Sequence, residues 1–331
     1  MRACVIGSGS WGTALSQVLA DAGCDVRLLA RRESVVAGIN EEHRNPDYVS
    51  DAVLPDAIMV TTSHEEALAD ASLCVLVTPS RYLRATAHAI KPYVADDLPL
   101  VICSKGVEEG TGALPADVLE EELGGAERIC VLSGPTHAEE VVHRIPSSVV
   151  CASVSEDTAV WVRDLFSTED FRAYTSGDIV GVELCGAFKN VIAIAVGISY
   201  GLGMGDNTAA AIITRGMAEM SRMVCACGGE ALTCMGLAGT GDMVVTCTSR
   251  HSRNRRFGED YIARGRTLDD FEADTHMVVE GALACKTLHV LSERHQVELP
   301  LTEAVRALVW EGADPGAVAR MLLDRPLRSE F

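Results

Sequence analysis

Positive charge is scarce in this sequence. Its 28 Lys and Arg stand against 47 Asp and Glu, a formal net charge of −19 at pH 7. That balance argues against nucleic acid or an anionic membrane as a general partner. It also makes any anionic ligand depend on positive charge gathered locally. Aromatic residues are few, and Ala, Gly and Val are plentiful, an ordinary globular composition. A disulfide framework is missing. The twelve Cys are scattered, with Cys225-Ala-Cys227 the only close pair. Cys4, Cys74, Cys103 and Cys130 sit in apolar runs, as small buried hydrophobes do in a reducing cytosol, so a cytoplasmic protein is expected. The nine His form no His-Glu-x-x-His and no Cys/His zinc spacing, so no metal site is expected. No apolar run reaches membrane-spanning length without a charge or a glycine in it, so stable membrane insertion is not expected. The N-terminus enters a strand at once, leaving no room for a signal peptide. At 331 residues, two domains is the natural expectation.

What is present begins with Ala3-Cys-Val-Ile6, a short buried strand that runs into Gly7-Ser-Gly-Ser-Trp-Gly12. A helix with apolar Ala14, Leu15, Val18, Leu19 and Ala22 follows, then a second strand, Asp25–Ala30. A glycine pattern of this kind is specific only inside a βαβ unit, and here it has one. Gly7 permits the tight turn, Gly9 lets a pyrophosphate approach the backbone, and Gly12 lets helix and sheet pack closely. The helix N-terminus offers free N–H groups to the phosphates. An acid at the end of the second strand selects NAD. Here the strand ends in Ala30-Arg31-Arg32. Two guanidiniums suit a 2′-phosphate, so NADP(H) is favoured and NAD(H) use stays open. The alternative is a solvated arginine pair.

Strand and helix continue to alternate. Strands are expected at 58–62, 72–78, 98–104, 129–133 and 148–152, and helices at 81–90 and 114–123. This is the pattern of a doubly wound parallel sheet. Ligands in such sheets lie beyond the carboxyl ends of the strands. Three of those ends carry chemistry: Thr78-Pro79-Ser80, Ser104-Lys105-Gly106 and Ser133-Gly134-Pro135-Thr136. After Gly177 the pattern turns helical, with helices expected at 180–197, 208–227, 255–264, 279–293 and 302–310. The expected division is a Rossmann-type dinucleotide-binding domain over 1–179 and an all-helical substrate domain over 180–331. Gly201-Leu-Gly-Met-Gly205 follows a helix rather than a strand, so it reads as a terminator, with Asp206 or Asn207 capping the next helix.

The stretch from Val180 to Gly197 is apolar on nearly every face, the mark of a buried helix. Its interior nevertheless carries Lys189, beside Asn190. Positions three and four residues away are Cys185, Gly186, Ile192 and Ala193, none of them acidic. A buried ammonium needs a partner, so Lys189 meets one elsewhere in the fold or in a ligand. Asp242, in Gly239-Thr-Gly-Asp242, is the candidate. The alternative is a lysine that snorkels to solvent. On the reading of an uncompensated ammonium, Lys189→Met should leave stability level or raise it. Arg250-His-Ser-Arg-Asn-Arg-Arg256 places four arginines in seven residues. In so acidic a chain that marks an anion site, because the guanidinium fork bonds phosphate bidentately. A solvated basic turn is the alternative.

Taken together, Gly7–Gly12 with Trp11, Ser104-Lys-Gly106, Ser133-Gly-Pro-Thr136, the run Val182–Asn190, Gly239–Asp242, Ser252–Gly258 and Val279-Glu-Gly281 resemble the bacterial NAD(P)-dependent glycerol-3-phosphate dehydrogenase family over nearly the whole length. The resemblance implies a 6-phosphogluconate-dehydrogenase-like two-domain plan. It implies that Lys189 is the proton acceptor and that Lys105, Gly134, Thr136, Asn190, Asp242, Thr246, Ser252, Arg253 and Asn254 line the substrate. Ser10, Trp11, Arg31, Arg32, Tyr48, Lys105, Ala138, Arg253, Val278 and Glu280 would line the cofactor. Cys185 departs from the family, which commonly has glycine there. The implied reaction is reversible reduction of dihydroxyacetone phosphate to sn-glycerol 3-phosphate, the head-group precursor of phospholipids. Two other readings stay open. One is a β-hydroxyacid dehydrogenase of the same plan, such as one for 6-phosphogluconate. The other is a non-catalytic dinucleotide-sensing regulator, which needs the fold but not Lys189. The helical domain has apolar faces enough for a homodimer.

Overall fold

The computed structural model describes residues 1–275 and 277–324. The chain divides into two compact units, one of Met1–Glu108 with Ala113–Glu183, the other of Glu109–Gly112 with the described residues from Leu184 on.

The first unit is an eight-stranded sheet: β1 (Arg2–Ile6), β2 (Asp25–Leu29), β3 (Ile58–Thr61), β4 (Leu73–Leu76), β5 (Leu100–Ile102), β6 (Ile129–Ser133), β7 (Ser147–Ala152) and β8 (Phe171–Ser176). Their order across the sheet is β3-β2-β1-β4-β5-β6-β7-β8. The central strands are continuous apolar runs because helices cover both faces. Those helices are α1 (Ser10–Asp21), α2 (Glu33–Glu42), α3 (His64–Leu68), α4 (Leu83–Ile90), α5 (Pro115–Leu123), α6 (Ala138–Val141) and α7 (Glu156–Phe166). The parallel pairing expected from the alternation holds from β3 through β6. β7 departs from it and pairs antiparallel to β6. The physical reason is α6, one helical turn, too short to return the chain along the sheet as a parallel crossover must. α7 then supplies a full crossover, and β8 lies parallel to β7. β8 was not among the expected strands. Its inward Phe171 and Ala173 alternate with outward Arg172 and Tyr174, an edge-strand pattern unlike the continuous runs elsewhere.

The second unit is helical: α8 (Ile179–Gly201), α9 (Asp206–Ala226), α10 (Asp242–Thr248), α11 (Arg253–Asp260), α12 (Leu268–Thr275), α13 (Glu280–His295), α14 (Pro300–Trp310) and α15 (Pro315–Leu323). The division between the units falls inside α8, after Glu183. This helix is long and apolar enough to cross a membrane by length and composition alone, although Glu183, Lys189 and its glycines interrupt it as expected. Yet 89% of its most apolar window is buried inside the protein. Its neighbours reach it through glycines. A Cβ on Gly258 of α11 would lie 2.2 Å from Ile194 O, one on Gly281 of α13 would lie 2.5 Å from Asn190 O, and one on Gly216 of α9 would lie 2.6 Å from Ile192 Cδ1. The turn after α8 is the expected terminator, with Gly203 at φ +76°. The expected cap is not. Gly205 occupies the cap position of α9 without a side-chain bond, and Asp206 lies inside the first turn, accepting from Tyr200 Oη at 3.0 Å.

Candidate active site

In the first unit the glycine loop joins β1 to α1. Gly7 adopts φ +115°, and a Cβ there would lie 3.0 Å from Val77 O. A Cβ on Gly12 would lie 1.8 Å from Gly7 O, while Gly9 faces open space. No side chain caps α1, so its first N–H groups are left for an anion, as a pyrophosphate requires. These features fit a dinucleotide. Asn45, which the motifs in the sequence do not include, pins the loop. Its Nδ2 donates to Ser8 O at 3.0 Å and Thr13 Oγ1 at 2.8 Å, and its Oδ1 accepts from the Asp47 and Tyr48 amides. The Asn45-Pro46 dipeptide, a turn signal, was the available clue.

Beyond β2, Arg31 and Arg32 are exposed. The Arg32 guanidinium stacks over the Tyr48 ring at 5.4 Å and pairs with Asp47 at 3.0 Å. Arg32 and Tyr48, distant in sequence, are therefore neighbours. Ser10 and Trp11 open α1, and the Trp11 ring packs against Phe171 at 6.5 Å. The ends of β4 and β5 are tied by Ser104 Oγ, which donates to Thr78 O at 2.5 Å. Lys105 follows, half-buried, and Gly106 takes φ +137° beneath Ser80. At the end of β6, a Cβ on Gly134 would lie 2.6 Å from Ser148 O. Thr136 Oγ1 donates to Gly134 O at 3.3 Å, and Ala138 begins α6. Glu183, six residues before Lys189 on α8, is buried, with Oε1 accepting from the Ala116 amide at 2.9 Å and Oε2 meeting no partner among the described residues. Burial pushes its carboxyl well above the usual carboxylate range.

The second unit holds the lysine. Lys189 is 8% exposed and Asp242 1%. Lys189 Nζ donates to Asp242 Oδ1 at 2.5 Å and to Thr246 Oγ1 at 3.2 Å, and Thr246 Oγ1 donates to Asp242 Oδ1 at 3.1 Å. Asp242 and Thr246 are one turn apart on α10, hence on one face. The counter-charge that α8 lacks comes from α10. This overturns the expectation that Lys189→Met would leave stability level or raised, since the change would remove the counter-charge of a buried carboxylate. Beside the triad lies Cys247, its thiol pushed up to about 12, first by burial. Asp242 is placed by a wide turn, Leu237–Gly241, in which a Cβ on Gly239 would lie 2.0 Å from Cys234 O.

Asn190, next along α8, belongs to a second network. Its Nδ2 donates to Gly186 O and Glu280 Oε2, each at 3.3 Å. Asn254 Nδ2 donates to Asn190 Oδ1 at 2.9 Å, and the Gly281 amide donates to Asn254 Oδ1 at 2.9 Å. Val278 and Glu280, both half-buried, stand at the start of α13. Ser252 is buried, and its hydroxyl caps α11 by accepting from the Arg255 amide at 3.2 Å. The basic stretch divides. Arg253 and Arg256 are exposed on the first turn of α11, which has no acid in it. Arg255 is committed to the fold through Thr248 O at 2.6 Å, Glu259 at 3.3 Å and the Tyr200 ring at 4.9 Å. Cations at a helix N-terminus oppose its dipole, an arrangement an anion there would relieve.

Both halves have known counterparts. Residues 2–159 match the family model described as the NAD-dependent glycerol-3-phosphate dehydrogenase N-terminus, and residues 178–320 match that of the C-terminus. A relative from Shouchella clausii named glycerol-3-phosphate dehydrogenase (NAD(P)+) is 44% identical over 329 residues, covering 98% of this chain and 96% of the relative. A Streptomyces griseus protein of the same name is 44% identical over 331 residues, covering 100% of this chain and 98% of that protein. The crystal structure of glycerol-3-phosphate dehydrogenase from Coxiella burnetii superposes with a TM-score of 0.93 at 35% identity, covering 98% of this chain and 99% of the other. With a glycine loop open to a pyrophosphate in one unit and a compensated buried lysine in the other, these likenesses agree: the chain belongs to the NAD-dependent glycerol-3-phosphate dehydrogenase family.

Proposed function

We propose that this protein reduces dihydroxyacetone phosphate to sn-glycerol 3-phosphate, reversibly, with NADPH and to a lesser degree NADH, and so feeds glycerophospholipid synthesis. Residues 1–179 are assigned to the dinucleotide and 180–331 to the chemistry. The observation that carries the reading is the buried Lys189–Asp242–Thr246 triad on an otherwise apolar helix.

Gly7, Gly9 and Gly12 shape the loop, and the N–H groups of Ser10 and Trp11 face the pyrophosphate. Arg31 and Arg32, with Tyr48 supporting Arg32, hold the 2′-phosphate. Ala138, Val278 and Glu280 complete the cofactor assignment. When bound, the reduced dinucleotide supplies the hydride that the substrate carbonyl accepts. Lys189, as an ammonium, faces the carbonyl oxygen, stabilises the developing alkoxide and gives it a proton; in the reverse direction the neutral amine takes that proton back. Asp242 compensates the ammonium without bulk solvent, and Thr246 orients both. Arg253 and Asn254 at the start of α11 receive the substrate phosphate. Asn190 and Ser252 keep that helix in place. Lys105, Gly134 and Thr136 are assigned to the substrate as well. A cytoplasmic homodimer belongs to the same reading.

Initial rates test it. NADPH oxidation should be rapid with dihydroxyacetone phosphate, slower with NADH, and absent with 3-oxo acids. Turnover of 3-oxo acids alone would move the chain to the β-hydroxyacid dehydrogenases. Tight NADPH binding with no turnover of either substrate would make it a sensor.

A further inference from the structure

Cys185 lies one turn before Lys189 on α8, and its Sγ is 4.0 Å from Cys234 Sγ. Both residues are buried. Cys234 is the platform of the turn that delivers Asp242. Its carbonyl accepts from Thr240 Oγ1 at 3.0 Å, and its backbone is packed so closely under Gly239 that no side chain fits there. One thiol thus belongs to the lysine's helix and the other to the aspartate's turn. We infer that Cys185 and Cys234 form an oxidisable dithiol, a modification site whose disulfide switches the Lys189–Asp242 pair off.

The oxidant is a small neutral peroxide. One thiolate attacks it, the O–O bond breaks, the sulfur becomes a sulfenic acid, and an alcohol or water leaves. The second sulfur displaces the sulfenic oxygen as water and the S–S bond forms. Two thiols lose two electrons and two protons, and the peroxide gains them. Burial slows thiolate formation, so the first step waits on local opening of the turn. When the turn recloses, the partner sulfur returns to within 4.0 Å, and disulfide formation outruns further oxidation. A disulfide needs its sulfurs about 2.05 Å apart. Closing from 4.0 Å draws the Cys234 platform toward α8 and moves Gly239–Asp242 with it. The Lys189–Asp242–Thr246 triad cannot follow unchanged, because Lys189 is fixed to α8. The loss of turnover rests on the reading of Lys189 given above; the formation of the bond does not.

The full-length reduced enzyme, treated with hydrogen peroxide under native conditions, tests both parts. Peptide mass mapping should find the Cys185 and Cys234 peptides joined, lighter by two hydrogens. Turnover of dihydroxyacetone phosphate should fall by about 10²-fold, the scale of a misplacement near 1 Å. NADPH affinity should hold, and dithiothreitol should restore turnover. Cys185→Ala and, separately, Cys185→Ser should keep basal turnover and lose the reversible inactivation. Cys225, exposed, reports that oxidant reached the protein. Oxidised Cys225 with no Cys185–Cys234 link overturns the proposal. So does a link that leaves turnover intact, or equal reversible inactivation in a folded Cys185 variant. An untreated enzyme idle on dihydroxyacetone phosphate would instead overturn the assigned function, leaving the link to be scored by mass alone.

Discussion

Lys189 is stabilised by what surrounds it and exposed in its consequences. Truncating it to methionine should lower turnover by about 10²–10⁴-fold, the usual reach of general acid–base catalysis. The same change removes the positive charge that compensates buried Asp242, so stability should drop by about 3–5 kcal/mol. Lys189→Met with Asp242→Leu should recover most of that stability and none of the turnover, since a hydrophobic replacement of a buried ion pair is often neutral. Denaturant unfolding and steady-state rates on the two proteins check this; a single variant as stable as wild type would mean the pair contributes nothing. The arginines divide in the same way. Arg253→Ala should raise KM for dihydroxyacetone phosphate, removing a charge-assisted bond of about 1.5–3 kcal/mol, with the thermal midpoint unchanged. Arg255→Ala should do the reverse, through its lost contacts to Thr248, Glu259 and Tyr200. The lysine was legible in the sequence because an ammonium inside an apolar helix breaks a local rule. Its partner could be suspected there but not fixed, since fifty-three positions separate Lys189 from Asp242 and only packing joins them. Ser252 was legible as a polar residue in a loaded stretch, but not as a cap. Asn45 gave only a turn signal, and its work is done across the chain.

At the level of elements, the end of β2 sets cofactor choice. Replacing Arg31 and Arg32 by Ser should raise KM for NADPH far more than for NADH. Asp47→Ala, which frees Arg32 from its ion pair, should deepen the NADPH preference. Equal effects on both cofactors would remove the 2′-phosphate from this end of the strand. The junction of α8 with α5 carries a pH dependence. The Glu183 carboxyl is raised in the folded state by burial, against about 4.3 in the unfolded chain. Between those values the folded protein keeps a proton that the unfolded one releases. Stability from this group is therefore full below the unfolded value and lost as pH rises toward the folded one. Glu183→Gln cannot ionise, so its stability relative to wild type should improve as pH rises above the unfolded value of about 4.3; a constant difference would mean Glu183 is ionised in the fold. Continuous apolar strands and the glycine loop were readable because each is a local pattern. The reversal at β7 was not, because it depends on how far one turn of α6 can carry the chain, and β8 hid behind an edge strand's mixed polarity.

For the molecule as a whole, a net charge of −19 surrounds an assigned anion site, so recognition falls to a few placed cations and helix starts rather than to an attractive surface. The glycine contacts on α8 have a consequence in time. Gly216, Gly258 and Gly281 let α9, α11 and α13 close on this helix, yet all three leave the ribosome after it. At about 5–20 residues per second, Gly281 follows Gly201 by on the order of ten seconds. Throughout that interval a 23-residue segment, long and apolar enough by composition alone to cross a membrane, waits without its cover. Synthesis order thus leaves α8 uncovered until the later helices are made, open to capture by chaperones or by other copies of itself. Slowing translation between codons 201 and 281, with the encoded protein unchanged, should lower soluble yield; slowing it by the same amount upstream of codon 179 should not.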